Sequence, residues 1–245
     1  MEEKFKGGYM IKLLKYDENP LTLIGGVSGL CYGATNPKRF RAIAERCLKE
    51  GHGRVLEFTD ITMEISGVSA KVVRELYTHC VGTSKLQAST RYIDYTKCFD
   101  FVIPQTVKSN AEASKVWFEQ MCQIKQSMLK LKELGIPTED YTNLLPLAYE
   151  TKCVVKINLR SLIHMFNVRS CTCAYIEFRE IMKEIKKELS SISDEWKFIA
   201  DNYLVPKCIA MGYCEEESRN CGIMPTKESR KTKVMENKDN LKLFN

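Results

Sequence analysis

The feature that most constrains this chain is a helical segment from about Ser109 to Leu134, closed by Gly135-Ile136-Pro137. Glycine and proline one to three residues beyond the last periodic position are a strong stop signal. A second helix is delimited as clearly. Asn36-Pro37 supplies an N-cap and first-turn signal, FRAIAERCLKE follows, and Gly51 ends it. Between and around these helices lie short segments with strand character. YMIKLLKY (Tyr9–Tyr16), the alternating stretch from Leu56 to Ile65, FDFVIP (Phe99–Pro104) and CVVKI are read as strands. The apolar run up to Tyr32, the segment VVRELYTH behind Ser69, a short stretch leading to Pro146, NLRSLIHMFNVR and AYIEFREIMKEIKKEL are read as helices. His79 falls on the apolar face of the VVRELYTH helix, and Gly82 ends it. No internal repeat interrupts the pattern. The expected fold class is therefore α+β, a central antiparallel or mixed sheet flanked by helices.

Composition narrows the class. Of 245 residues, 44% are hydrophobic and 28% charged, the balance of a globular protein rather than a disordered or membrane-spanning one. The opening MEEKFKGGYM carries two acids and no apolar signal core, so a cytoplasmic location is expected. Eleven cysteines in a chain of this length are then reduced thiols rather than a disulfide framework. Cys208, Cys214 and Cys221, spaced Cys-x5-Cys-x6-Cys, form a weak zinc candidate, with Cys171 and Cys173 available as a fourth ligand. From Thr226 to Asn245, six Lys/Arg outnumber three Asp/Glu, as in a solvated tail. Nucleic-acid binding is not expected there, because no aromatic residue except Phe244 interleaves with the cations. The anticipated layout is a domain over 1–205, a cysteine-containing extension over 206–225 and a flexible charged tail over 226–245.

The chain has no P-loop, dinucleotide glycine fingerprint, nucleophile elbow or HExxH. Its chemistry-bearing groups are instead His52, His79, Ser89, Arg91, Asn158, Arg160, His164 and Arg169, all near expected element ends. LQASTRY (Leu86–Tyr92) reads as a loop after the helix that Gly82 ends. Arg91 and Arg169 each carry a planar fork suited to a phosphate or a pyrimidine carbonyl. Ordinary ion pairs, Arg91 with Asp94 and Arg169 with Glu177, would equally account for them.

The order of GHGRVLE, Thr78-His79-Cys80, Ser89-Thr90-Arg91-Tyr92 and NLRSL with a following arginine resembles the flavin-dependent thymidylate synthases. The resemblance runs from roughly residue 9 to 190. Their signature is Arg-His-Arg, seven or eight residues, then Ser-x-Arg-Tyr; here the gap is eight residues and Thr78 and Cys80 replace the two arginines. Further departures are Arg54 and Phe58 in the GHxSxxEH pattern, Thr142 before the LP, and Gln87 for a glutamate. Lys85, read as part of the same loop, is the candidate replacement for the lost charge.

The resemblance implies a homotetramer with flavin and nucleotide sites formed between subunits. It implies transfer of a methylene group from methylene-tetrahydrofolate to dUMP, with FAD, reduced by NADPH, as the hydride carrier. Glu75, Gln87, Ala88, Ser89, Thr90, Arg91 and Arg169 would hold dUMP. Thr78, His79, Cys80, Gln87, Asn158, Leu159, Arg160 and His164 would lie around FAD, and Arg169 and His52 would be the catalytic pair. A related transferase acting on another pyrimidine nucleotide and a non-catalytic nucleotide-binding paralogue remain open alternatives.

Overall fold

The computed structural model describes residues 8–97 and 99–230, so residues 231–245 of the expected tail lie outside the described part. The described residues divide into two compact units, one comprising 8–16 and 60–157, the other 17–59 and 158–230.

The first unit is built on a four-stranded sheet. Strands β1 (Met10–Lys15), β2 (Asp60–Ser69), β3 (Thr83–Gln87) and β4 (Glu150–Asn158) stand in the order β1-β2-β4-β3. The outer pairs are antiparallel: Ile11 faces Ile65, and Lys85 faces Val155. Ile61, Met63 and Ile65 of β2 and Cys153, Val155 and Ile157 of β4 are buried at alternate positions, as strands with one apolar face require. Ser69 accepts the Val72 amide at 3.2 Å and so starts α3 (Ala70–Leu76), whose Val72, Val73 and Leu76 are buried. A short α4 (Gln105–Lys108) precedes the long α5 (Ala111–Glu133). Asn110 caps α5 through the Ala113 amide at 3.0 Å, and Gly135, at φ +79°, reverses the chain behind it. Buried Met121 and Met128, seven residues apart, place one narrow stripe of α5 in a cluster with Tyr95, Phe99, Tyr141 of α6 (Thr138–Tyr141) and Tyr149.

The second unit is helical. It contains α1 (Pro20–Leu30), α2 (Phe40–Lys49), α7 (Leu159–Arg169), α8 (Ile176–Ser190), α9 (Asp194–Asn202) and α10 (Lys207–Met211). Its core includes Leu21, Ile24, Leu162, Phe166, Phe178, Ile185, Trp196 and Ile199. Gly25 lets α1 and α2 meet, because a Cβ there would fall 1.9 Å from the Phe40 carbonyl oxygen. Glu195 of α9 closes the other end of α1: its carboxylate accepts the amides of Leu21 and Thr22 at 2.7 and 3.0 Å and the Thr22 hydroxyl at 2.7 Å.

The α+β class, both delimited helices and the strands at 10–15 and 150–158 agree with the sequence reading. Four local expectations do not. Gly53–Phe58 is a 3-10 helix, not the start of a strand; buried Leu56 and Thr59 lie three apart, and pairing begins only at Asp60. Phe99–Pro104 makes a single bridge, Phe101 to Tyr149, because its phenylalanines pack into the aromatic cluster and Pro104 offers no donor. The helix behind Ser69 stops at Leu76, which leaves His79 in the turn beyond it. Leu86 and Gln87 belong to β3 rather than a loop, as does Lys85. Strand β3 escaped notice because it is inverted: polar Thr83, Lys85 and Gln87 share a face with buried Ile157, Val155 and Cys153, while Leu86 is 75% exposed.

Candidate functional site

In the first unit, the candidate residues gather at the two ends of β3. At its start, the turn Thr78-His79-Cys80 folds against the strand. The Thr78 hydroxyl donates to the Glu75 carbonyl at 2.7 Å, and the Thr83 hydroxyl donates to the His79 carbonyl at 2.6 Å. The Lys85 ammonium donates to that same His79 carbonyl and to the Thr83 hydroxyl. Burial lowers the Lys85 pKa, and its ammonium sets a positive charge against the turn, in which Thr78 and Cys80 contribute none. Cys153, across the β3–β4 pair, has its thiol pKa pushed up to about 12 by burial.

At the other end, Gln87 donates to the Tyr149 hydroxyl at 3.0 Å, and the Ala88 amide donates to the Lys152 carbonyl at 3.0 Å. The chain then leaves the sheet. Ser89 Oγ accepts the Arg91 amide at 3.1 Å, a local turn that fixes Ser89, Thr90 and Arg91 relative to one another. The Thr90 carbonyl accepts the hydroxyl of buried Thr142 at 2.8 Å. Arg91, with its side chain 65% exposed, pairs with Glu139 at 2.8 Å and lies over the Tyr92 ring at 5.7 Å. The expected partner, Asp94, is engaged elsewhere. It accepts from Lys132 at 2.6 Å, Thr96 at 2.5 Å and Tyr141 at 3.0 Å, which holds its carboxyl well below the usual range, the Lys132 bond contributing most. This anchored acid keeps the chain beyond the loop in place.

In the second unit, Asn158 caps α7 by accepting the Ser161 amide at 2.9 Å, and the amide of buried Leu159 donates to the Thr59 carbonyl at 2.9 Å. Arg160 ion-pairs with Glu57 at 2.6 Å and crosses Gly53, where a Cβ would lie 2.8 Å from its Nε. That approach explains a glycine next to His52. His164, one turn after Arg160, is exposed on the same side of α7. His52 Nε2 lies 3.6 Å from Glu50 and lines a cavity of about 320 Å³ with Tyr32, Arg39, Ile43 and Arg46. Arg169, the last residue of α7, stacks its guanidinium 5.1 Å from the centre of buried Phe178. It also lines a cavity of about 360 Å³ with Cys171, Cys173, Cys208 and Cys214.

The structure thus brings Glu75, Thr78, His79 and Cys80 to one end of β3 and Gln87 through Arg91 to the other. It groups His52, Asn158, Leu159 and Arg160 around the start of α7, with His164 a turn along and Arg169 at its far end. Glu139, Tyr149 and Arg39 were not anticipated. Glu139 and Tyr149 become visible only once β3 and the position of α6 are known, since no local pattern links residue 91 to 139 or 87 to 149.

Comparison with known proteins bears on this arrangement. The family model described as thymidylate synthase complementing protein matches residues 12–193. Among curated relatives, the flavin-dependent thymidylate synthase of Pyrococcus furiosus is 32% identical over 235 residues, covering 91% of this chain and 94% of the relative. That of Pyrococcus horikoshii is 31% identical, covering 84% and 89% respectively. The enzyme of the same name from Geobacter sulfurreducens is 28% identical, covering 86% and 93%. On these matches and on the Ser89–Tyr92 and Asn158–Leu162 motifs, the chain belongs to the flavin-dependent thymidylate synthase family.

Proposed function

We propose that this enzyme methylates dUMP to dTMP, with methylene-tetrahydrofolate as carbon donor and NADPH as reductant of bound FAD. The carrying observation is the Ser89–Arg91 turn. Its backbone is fixed by the Ser89 Oγ bond and by Thr142, while the Arg91 fork is exposed over the Tyr92 ring and paired with an exposed carboxylate that a phosphate can displace. Because the Ser89 oxygen accepts the Arg91 amide, its hydroxyl proton is available to a phosphate oxygen, and Ser89 binds rather than attacks.

Arg169 is assigned to the pyrimidine. A guanidinium keeps its proton at any working pH, so it can stabilise negative charge developing on the ring without a titration step. Phe178 beneath it restricts its orientation. His52 is assigned a catalytic role from its own cavity near the start of α7, and Glu75, Gln87, Ala88 and Thr90 to positioning dUMP.

The donor set fits FAD. Arg160 and His164 present a cation and ring N–H donors on one side of α7, and Asn158, having spent its oxygen on the helix, retains its amide N–H groups to donate. A dinucleotide's diphosphate and its ring edges need such groups. Thr78, His79 and Cys80 would supply polar contacts, with Lys85 providing the positive charge their turn lacks. When bound, FAD supplies the hydride and the methylene-transfer chemistry; the chain's residues bind, orient and stabilise charge.

We further assign the protein to a cytoplasmic homotetramer with a catalytic domain over 1–205. Leu86, Val81, Tyr92, Val116 and Leu134 are exposed large apolar side chains that subunit contacts would cover. No helix among the described residues is long and apolar enough to cross a membrane. One observation favours a second reading, a non-catalytic nucleotide-binding paralogue: Thr78 and Cys80 stand where the family signature has two arginines. Expression in a thymidine-requiring host separates the two. Rescue by the native chain and not by Arg91→Ala is expected; soluble protein that neither rescues nor takes up FAD would refute the enzymatic reading.

A further inference from the structure

Cys208, Cys214 and Cys221 form no metal site, since among the described residues no group of three His, Cys, Asp or Glu could hold an ion. The cavity of about 320 Å³ beside His52 carries more, because its two arginines, Arg39 and Arg46, are assigned to neither dUMP nor FAD. One stripe along α2 makes its wall: Arg39, just before the helix, then Ile43, Arg46 and, just after it, Glu50 recur at helical spacings. His52 closes one end. Gly51, at φ +74°, reverses the chain, and the His52 amide donates to the Cys47 carbonyl at 2.8 Å. Tyr32 and Ala34 come from the turn after α1, which the Ala34 amide ties to the Gly29 carbonyl at 2.9 Å.

The charges do not balance. Arg46 Nε lies 2.9 Å from Glu50 Oε1 and His52 Nε2 lies 3.6 Å from Glu50 Oε2, so one carboxylate serves both. Among the described residues, the exposed Arg39 side chain has no hydrogen-bond or ion-pair partner. Two guanidinium groups against one carboxylate leave a positive excess that an anion can neutralise. The Arg46 side chain is 76% exposed, and a solvated pair of this kind opens at little cost. Arg39 and Arg46 are seven residues apart, about 10 Å along a helix, a span that two arginine side chains can close on one phosphate. Tyr32, 78% exposed, offers a ring face on which a planar base can stack.

A base beside a phosphate describes one end of the reductant. In the proposed reaction, the dUMP phosphate goes to the Ser89–Arg91 turn and the FAD diphosphate to the start of α7, which leaves the 2′-phosphate of NADPH without a cation. Arginine is the residue that accommodates this group in other nucleotide sites. The cavity also adjoins the residues assigned to FAD, since His52 precedes Gly53, where a Cβ would lie 2.8 Å from Arg160 Nε. We propose that Arg39 and Arg46 bind the 2′-phosphate of NADPH, with its adenine on Tyr32, and so select NADPH over NADH. This inference rests on the proposed reaction for the identity of the ligand.

Calorimetric titration of the full chain with adenosine 2′,5′-bisphosphate and with adenosine 5′-phosphate tests the site without turnover. The bisphosphate is expected to bind at least about 10-fold tighter, and Arg39→Ala and Arg46→Ala should each weaken it about 10- to 100-fold. Glu50→Gln should tighten it a few-fold, about 2- to 5-fold. Arg41→Ala, which removes a charge that pairs with Glu45 outside the cavity, should leave it unchanged. In turnover, Arg39→Ala should lower kcat/KM for NADPH about 10-fold or more and spare that for NADH. A bisphosphate that binds no tighter than the monophosphate, or equally well in both arginine variants, overturns the proposal. So does capture of methylene-tetrahydrofolate, rather than the bisphosphate, that is lost in Arg39→Ala. Formation of dTMP with the NADPH preference intact in both arginine variants would sink this inference and leave the proposed function standing; bisphosphate binding through Arg39 in a chain that forms no dTMP would do the reverse.

Discussion

Arg91 Nε stands 2.8 Å from Glu139 Oε2, an ion pair that ties the turn after β3 to α6, 48 residues on. Both side chains are more than half exposed or at half exposure, so the pair itself contributes at most about 1 kcal/mol. On the proposed reading, a phosphate at Arg91 would displace a solvated carboxylate. Losing a charge-assisted phosphate bond costs about 1.5–3 kcal/mol, so Arg91→Ala should weaken dUMP binding roughly 10- to 100-fold. Glu139→Gln should leave stability within about 1 kcal/mol and tighten dUMP up to about 5-fold. Calorimetric titration measures both; an unchanged affinity in Arg91→Ala would remove the turn from the site.

Arg169 should act on the reaction more than on binding. With its guanidinium 5.1 Å from the centre of the Phe178 ring, it has a defined direction that a lysine cannot reproduce. Arg169→Lys is expected to lower kcat by about 100-fold or more with a smaller change in KM for dUMP. Steady-state kinetics at saturating co-substrates separates the two; a pure KM effect would make Arg169 a binding group only.

Glu195 is the clearest stability determinant. Its buried carboxylate accepts three hydrogen bonds at the start of α1, and the neighbouring Trp196 donates to the Asp17 carbonyl at 2.7 Å. Glu195→Ala strands two amides and a hydroxyl at a helix N-terminus and should cost about 3 kcal/mol. Thermal unfolding followed by circular dichroism would show a lower Tm, with Glu195→Gln in between.

Asp94 predicts an acid dependence. Its bonds from Lys132, Thr96 and Tyr141 depress the folded-state pKa below the unfolded value of about 3.9. The stabilisation is therefore complete above about pH 4 and is lost as pH falls through the folded value. Native protein should lose unfolding free energy more steeply below about pH 4 than Asp94→Asn, which starts lower at neutral pH. Parallel curves would show that the network carries no proton linkage.

Cys153 should resist thiol reagents. With its pKa pushed up to about 12 and its side chain buried between β2 and β3, it remains a protonated thiol at pH 8. Exposed Cys31, Cys80, Cys173 and Cys221 should be alkylated first in native protein, with Cys153 modified only on unfolding. Mass spectrometry of a timed alkylation gives the order.

The sequence revealed those elements whose side chains alone determine them. Ser69 as a helix cap and Gly135 as a helix stop are local devices, and the structure uses them as read. Strand β3 was hidden because its polar face is the one turned toward Cys153 and Val155, a choice set by partner strand β4 and by Lys85 bonding back to the His79 carbonyl. The Phe99–Pro104 stretch misled in the opposite sense, since an apolar run can fill a cluster without joining a ladder. In the candidate site, Arg91, Ser89, Asn158 and Arg160 stood out by motif. Glu139 and Tyr149 did not, because their roles depend on tertiary neighbours 48 and 62 residues away.

The most direct test is an anaerobic titration of the purified, FAD-loaded chain with dUMP, followed by absorption of the flavin band. Saturable perturbation of that band by dUMP, absent in Arg91→Ala and followed by dTMP formation once methylene-tetrahydrofolate and NADPH are added, is the expected result. A chain that binds FAD but shows no spectral response to dUMP and forms no dTMP would contradict the proposed function.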